Sequence, residues 1–284
     1  MTENTNPLNK YFRHPAIYVS LPSGMNYAPH VVTPTKTGEL GVMPMTAKDE
    51  IRFKTPDALM NGQGVVEVIE SCIPEIKDAW QIKSYDLDTI LVAIRIATYG
   101  ETMAINFNVP GANENVSHTI NLPSLLDQLK STKVDSEITL KDGLRLTIRP
   151  LTYQDMTLTS LQTFQQQKMY SAIQDSNLSD EEKAKRFNDA FKKLTDLNSS
   201  ILLKNIQMVT MPDNTEITDA THIKEFIENA NATLVKEIED ELTKLRGQGA
   251  VKPLKMKATE EQIKKGAPVT YEVPVTFDTS NFFV

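Results

Sequence analysis

The chain has 284 residues, 40% of them hydrophobic, enough for a substantial core in one large or two modest domains and too many for disorder throughout. Its net charge of -7 argues against wrapping nucleic acid. The longest apolar run, Ile90–Ala97, is broken by Arg95 and falls short of the roughly 20 residues that cross a bilayer, so no membrane span is expected.

Residues 1–40 read as a Pro-rich extended arm, because Pro7, Pro15, Pro22, Pro29 and Pro34 deny the backbone long helices. Tyr11, Phe12, Ile17, Tyr18, Val19, Leu21, Tyr27, Val31 and Val32 are too many apolar side chains for a solvated linker. They pack either on their own domain or on a neighbouring subunit. The opening MTENTNPLNKYFRHP lacks the pattern of a secretory signal, so assembly in a cytoplasm is expected.

Residues 41–150 read as an α+β domain with two hairpins. Thr55 caps a helix that begins at Pro56, where the missing N–H costs nothing, and Gly62 and Gly64 are a local break. A helix resumes over Val65–Cys72 and stops near Pro74. Asp86 is positioned to cap the next helix, LDTILVAIRIATY, which Gly100 ends. That helix is apolar on most of its circumference and is expected at the domain centre. Alternation over Met103–Val109 and Val116–Leu122, around PGANEN, predicts one hairpin. Glu137–Leu140 and Leu144–Ile148, around Lys141-Asp142-Gly143, predict a second, and together they are expected to form one small sheet.

Residues 151–247 read as a helical region. Thr152 with Asp155 caps a helix running to about Gln174, and Ser179 with Glu182 makes a capping box. Phe187, Phe191, Leu194 and Ile201 recur at helical spacing. So do Ile223, Phe226, Ile227, Ala230, Leu234, Ile238, Leu242 and Leu245, which predict one long final helix ended by Gly247 and Gly249. Residues 248–284 read as an extended C-terminal tail with a strand over Val269–Phe277. The fold class is therefore α+β: mainly helical, with a small antiparallel β-hairpin sheet and extended N- and C-terminal segments.

Motifs that carry chemistry are missing. One cysteine, Cys72 among apolar neighbours, predicts a small buried thiol and rules out an intramolecular disulfide. His14, His30, His118 and His222 have no metal-ligand spacing, and His118 is expected as a solvated imidazole on a strand with an apolar opposite face. Neither a nucleophile elbow nor a phosphate-binding glycine loop occurs. Carboxylate clusters at Asp180, Glu181 and Glu182, and at Glu237, Glu239, Asp240 and Glu241, read as solvated helix faces rather than catalytic pairs.

No catalytic residue, cofactor or metal site is expected. Met211–Leu245 carries nine acidic against three basic residues, and the stretch after it six basic against four acidic. Lys252, Lys255, Lys257, Lys264 and Lys265 have no aromatic interleaved, so their expected acceptor is protein, such as the acidic helix of another copy, which would make the chain self-associate.

Three stretches then stand out in order over roughly positions 45 to 283: MTAKDEIRFKTPDALMNGQGVVEVIESCI followed by LDTILVAIRIATYG; LKDGLRLTIRPLTYQD; and EITDATHIKEFIENA with the closing VPVTFDTSNFF. Together they resemble the baseplate protein family of T-even-type contractile-tailed bacteriophages, and the Pro-rich arm before Gly41 lies outside the shared region. The resemblance implies association with the baseplate hub or its assembly, and no enzymatic activity. It also implies Cys-x-x-Cys pairs on the hairpin and near the end, in a zinc-stabilised fold. Here the matching stretches, NVPGANENVSH and KMKATEEQIKKGAPVTYEVP, contain no cysteine.

The expected function is a non-enzymatic structural subunit of a phage contractile-tail baseplate, in the hub or its periphery, located in the virion after assembly in the host bacterial cytoplasm. The alternative is an assembly chaperone for hub proteins that is absent from the finished virion. Acidic charge, eleven methionines and amphipathic helices suit both. A tail-associated hydrolase is the minor third reading, and no carboxylate in an apolar cleft supports it in sequence. The residues expected to bind other baseplate or tail proteins are Phe277, Phe282 and Phe283 at the end, and Tyr11, Phe12 and Tyr18 in the arm, since aromatic anchors bury large area.

Overall fold

The computed structural model describes residues 7–53, 62–133, 135–174, 179–248 and 251–275. The expected helix start at Thr55-Pro56 lies outside them. About 47% of the structure is helix and 21% strand, so the class is α+β but less dominated by helix than expected. The strands form four small antiparallel sheets among the described residues, not one.

The first core is built around a helix apolar on nearly every side. In chain order the elements are β1 (Ile17–Val19), β2 (Leu40–Val42), α1 (Ala47–Phe53), α2 (Gln63–Cys72) and α3 (Ser84–Tyr99). Ile90, Val92, Ala93 and Ile94 of α3 are fully buried, as the apolar pattern demands, and Gly100 ends the helix at φ 93. Asp86 does not cap α3, because the cap position is Lys83 and Asp86 is buried in the first turn. Val19, Leu21, Val31 and Val32 of the Pro-rich segment are buried in the same core, and β1 pairs with β2. From Arg13 onward that segment packs on its own chain.

The hairpin β3 (Thr102–Val109) and β4 (Glu114–Asn121) has the predicted alternation and runs into α4 (Leu122–Ser131), which Asn121 caps. His118 shares its face with Val116 and Ile120 and is half-buried, while Ser117 and Thr119 face solvent. The expectation of a solvated imidazole had assigned it to the wrong face.

The second hairpin does not join the first. Β-strands β5 (Glu137–Thr139) and β6 (Arg145–Ile148) turn at Gly143, φ +86, and extend into a four-stranded sheet with β7 (Ile206–Thr210) and β8 (Glu216–Ile217). Between β6 and β7 come two long helices, α5 (Tyr153–Gln174) and α6 (Asp180–Asn205), and the capping box of Ser179 with Glu182 is present. So Ile206–Thr210 is a strand inside a stretch expected to be helical throughout.

The single final helix is instead two, α7 (Ala220–Asn229) and α8 (Ala232–Gln248). Ala230 takes an extended conformation, and Asn231 accepts a 2.9 Å bond from the Leu234 amide to start the second helix. Ile223, Ile227, Ile238, Leu242 and Leu245 nevertheless keep one apolar stripe against the sheet, forming a second core.

The tail is not simply extended. A two-stranded sheet of β9 (Leu254–Lys257) and β10 (Thr270–Val273) encloses the short α9 (Glu260–Lys264), with a capping box of Thr259 and Gln262. Tyr271 and Val273 join Val109, Phe107 and Val116 of the first hairpin in a third, small core.

Candidate interaction surfaces and the cavity between two cores

Two polar knots hold the N-terminal segment in place. Arg13 donates to the Pro44 carbonyl at 2.9 Å, to Asp49 Oδ2 at 3.2 Å, and to the Ser71 carbonyl and hydroxyl at 2.7 and 2.8 Å. Asp49 is 1% exposed and also accepts from the Thr46 amide and hydroxyl and from Ser71. Burial alone would raise its carboxyl, yet those hydrogen bonds with Arg13 beside it hold it below the usual carboxylate range. Cys72 lies in this knot, fully buried, and burial followed by the Asp49 charge pushes its thiol up to about 12.

The second knot joins the segment to α3. Tyr27 Oη and the Ser23 amide donate to Asp86, and Tyr27 Oη accepts from the Lys83 amide at 2.9 Å. Burial raises Asp86 in spite of these donors.

Tyr11 and Phe12, just before the first knot, and Tyr18, between the two, remain turned to solvent: Tyr11 is 74% exposed, Phe12 56% and Tyr18 60%. Tyr18 faces outward by the strand alternation that buries Val19. Opposite Tyr18 stands Gly41, where a side chain would meet Pro15 at 3.2 Å and the Tyr18 ring at 3.5 Å. Phe277, Phe282 and Phe283 lie outside the described residues.

The lysines of the tail are not free for another copy as a set. Lys265 pairs with Glu114 of the first hairpin at 3.1 Å, and Gln262 donates to the same carboxylate. Beside this contact the two turns touch backbone to backbone: a Cβ on Gly111, φ +79, would lie 2.3 Å from the Gly266 carbonyl oxygen. These are the two stretches in which the resemblance implies zinc-binding thiol pairs. At the contact itself the side chains are Glu114, Gln262 and Lys265, with no thiol or imidazole among them, and the glycine backbones fill the gap. The residues do not fit a tetrahedral zinc site. Among the described residues no group of three or more histidine, cysteine or acidic side chains is placed to hold a metal.

A cavity of about 420 Å³ opens where the first and second cores meet. Its position follows from backbone stitching: the Ser84 amide donates to the Leu151 carbonyl and the Tyr153 amide to the Ile82 carbonyl, both at 2.8 Å, so α3 and α5 start side by side. Trp80 stacks on Tyr153 at 5.5 Å and secures the same junction. Leu87, Ile148, Leu151, Met156, Leu242 and Leu245 make the walls apolar, and Asp88 and Asp135 are the acidic residues of the lining. No donor from the described residues reaches Asp88, and burial pushes its carboxyl up to about 6.

Sequence reading missed this cavity and expected no carboxylate in an apolar cleft; Asp88 is one. The available signal was Asp88 itself, an acidic residue two positions after the buried Asp86 in a helix otherwise apolar almost all round.

No helix among the described residues is long and apolar enough to cross a membrane. No curated protein and no solved structure matches the chain. The family profile described as T4 bacteriophage base plate protein matches residues 19–265. The match starts within the Pro-rich segment, earlier than the sequence resemblance placed it, and stops short of VPVTFDTSNFF. Its start at Val19 coincides with the first fully buried residue of the core. By this match over most of its length the chain belongs to the T4 bacteriophage base plate protein family.

Proposed function

We propose that this baseplate protein is a non-enzymatic structural subunit of a contractile-tail baseplate, in the hub or its periphery, that joins neighbouring tail proteins in the virion. The observation that carries the reading is the set of exposed aromatics, Tyr11, Phe12 and Tyr18, on a segment fixed by the Arg13–Asp49 knot. An aromatic side chain buries large area at a low cost in conformational freedom, which makes it an anchor. Phe277, Phe282 and Phe283 are proposed as a second anchor at the chain's end.

The test is incorporation. Replacing Tyr11, Phe12 and Tyr18 together by Ala should leave the melting temperature within a few degrees, since these side chains are mostly solvated. It should also lower the amount of this chain recovered in purified particles at least severalfold. Unchanged recovery would remove this surface from the proposal. An assembly chaperone would instead be found with free tail proteins in the infected cell and not in particles.

A further inference from the structure

The cavity at the junction of the two cores is not explained by the fold alone. Its walls are apolar side chains left facing an open space of about 420 Å³, within the range of pockets that hold a ligand. Met156, on its rim, is 37% exposed. Hydroxyl groups and two carboxylates interrupt the apolar wall, and of the two carboxylates Asp88 is the one that no described donor reaches. A carboxylate held in apolar surroundings is costly unless a cation or donors meet it.

Among the described side chains, the cations next to lining residues are committed elsewhere: Lys83 donates to the Asn26 carbonyl at 2.9 Å and Lys244 pairs with Glu241 at 2.5 Å. Arg149 and Lys204, each adjacent to a lining residue, pair with Asp155 at 3.6 and 3.9 Å, and Arg149 Nε donates to the Lys204 carbonyl. The segment 276–284 carries Asp278 and neither lysine nor arginine, so it matches the apolar wall but not the charge.

We infer that this cavity is a docking pocket for a segment of a neighbouring tail protein that inserts an apolar side chain beside a lysine or arginine, the cation reaching Asp88. The inference rests on the reading of the chain as a joining subunit and names the chemistry of one partner. Apolar burial against Leu87, Ile148, Met156 and Leu242 supplies attraction, and the charge-assisted contact to Asp88 selects the cation.

The test uses the full chain with labelled methyl groups, titrated with n-heptylammonium and, as the uncharged control, heptan-1-ol. Shifts should centre on the methyls of Leu87, Ile148, Met156 and Leu242. The ammonium should bind about tenfold tighter than the alcohol, the size of one charge-assisted contact. Asp88→Asn should abolish that preference while the chain stays folded by melting curve. Equal binding of the two probes, shifts away from the cavity, or an unchanged preference in Asp88→Asn would each overturn the inference.

A photoreactive residue at position 156 in assembled particles supplies the second arm. The expected crosslinked peptide comes from another tail protein and carries lysine or arginine next to an apolar residue. A crosslink to residues 276–284 or to a second copy of this chain overturns the partner named. Cation-selective binding by a chain absent from virions would keep the pocket and remove the structural-subunit reading. A chain present in virions whose cavity shows no cation preference would do the reverse.

Discussion

Asp49 and Asp88 show how the same side chain is made to do opposite things by its surroundings. Asp49 is buried among donors and is held ionised; Asp88 is partly buried among apolar side chains and resists ionisation. Removing the cation from the first site strands a buried carboxylate, so Arg13→Ala should cost about 2–3 kcal/mol in urea unfolding at pH 7. The Asp49 carboxyl is lowered on folding, so its contribution is present above the unfolded value near 4 and is lost as pH falls through the folded value.

For Asp88 the sign reverses. Its folded value, about 6, lies above the unfolded 3.8, so the folded state binds the proton more tightly. Stability should therefore rise as pH falls from above 6 to about 4. Asp88→Asn should remove that rise and stabilise the free chain at pH 7.5 by roughly 1–2 kcal/mol. A loss of stability in that variant would show that Asp88 has a stabilising role in the free chain. A gain would mean that the carboxylate is kept at a cost to stability, as binding residues often are.

Among the elements, the tail sheet is held by the third core, by Leu254 and Val275 on the first core, and by a tight contact between two turns. Gly111 holds a left-handed φ and has no room for a Cβ against the Gly266 carbonyl. Gly111→Ala should force the turns apart and raise amide exchange in Leu254–Lys257 and Thr270–Val273, with the first core's exchange unchanged. Equal loss of protection in α3 would mean that tail and core unfold as one unit.

Local signals were legible wherever cause and effect lie within a turn of each other. Ser179 with Glu182, Thr152 with Asp155, Gly100 and Asp142-Gly143 all appear where sequence reading placed them. Misreadings occurred where a distant partner decides. Asp86 looks like a cap until Tyr27, 59 positions away, is found on its carboxylate. The β6–β7 pairing joins strands separated by two helices, and Asn231 interrupts an apolar stripe whose period runs through the break.

At the scale of the whole molecule, the family match covers residues 19–265 and places the chain among phage baseplate proteins. Two larger cores and a small third one carry a segment with exposed aromatics beside the Arg13–Asp49 knot. Tyr11, Phe12 and Tyr18 were named from sequence because aromatic anchors bury large area, and all three are exposed in the structure. The cavity was not, because its walls come from five elements far apart in sequence.

The central claim is that this chain is built into the particle rather than only passing through its assembly. Quantitative mass spectrometry of purified virions tests that most directly. The account predicts the chain at a fixed whole-number ratio to the other baseplate proteins. Its complete absence from virions, with abundance in infected-cell lysate, would contradict the account and leave the assembly-chaperone reading standing.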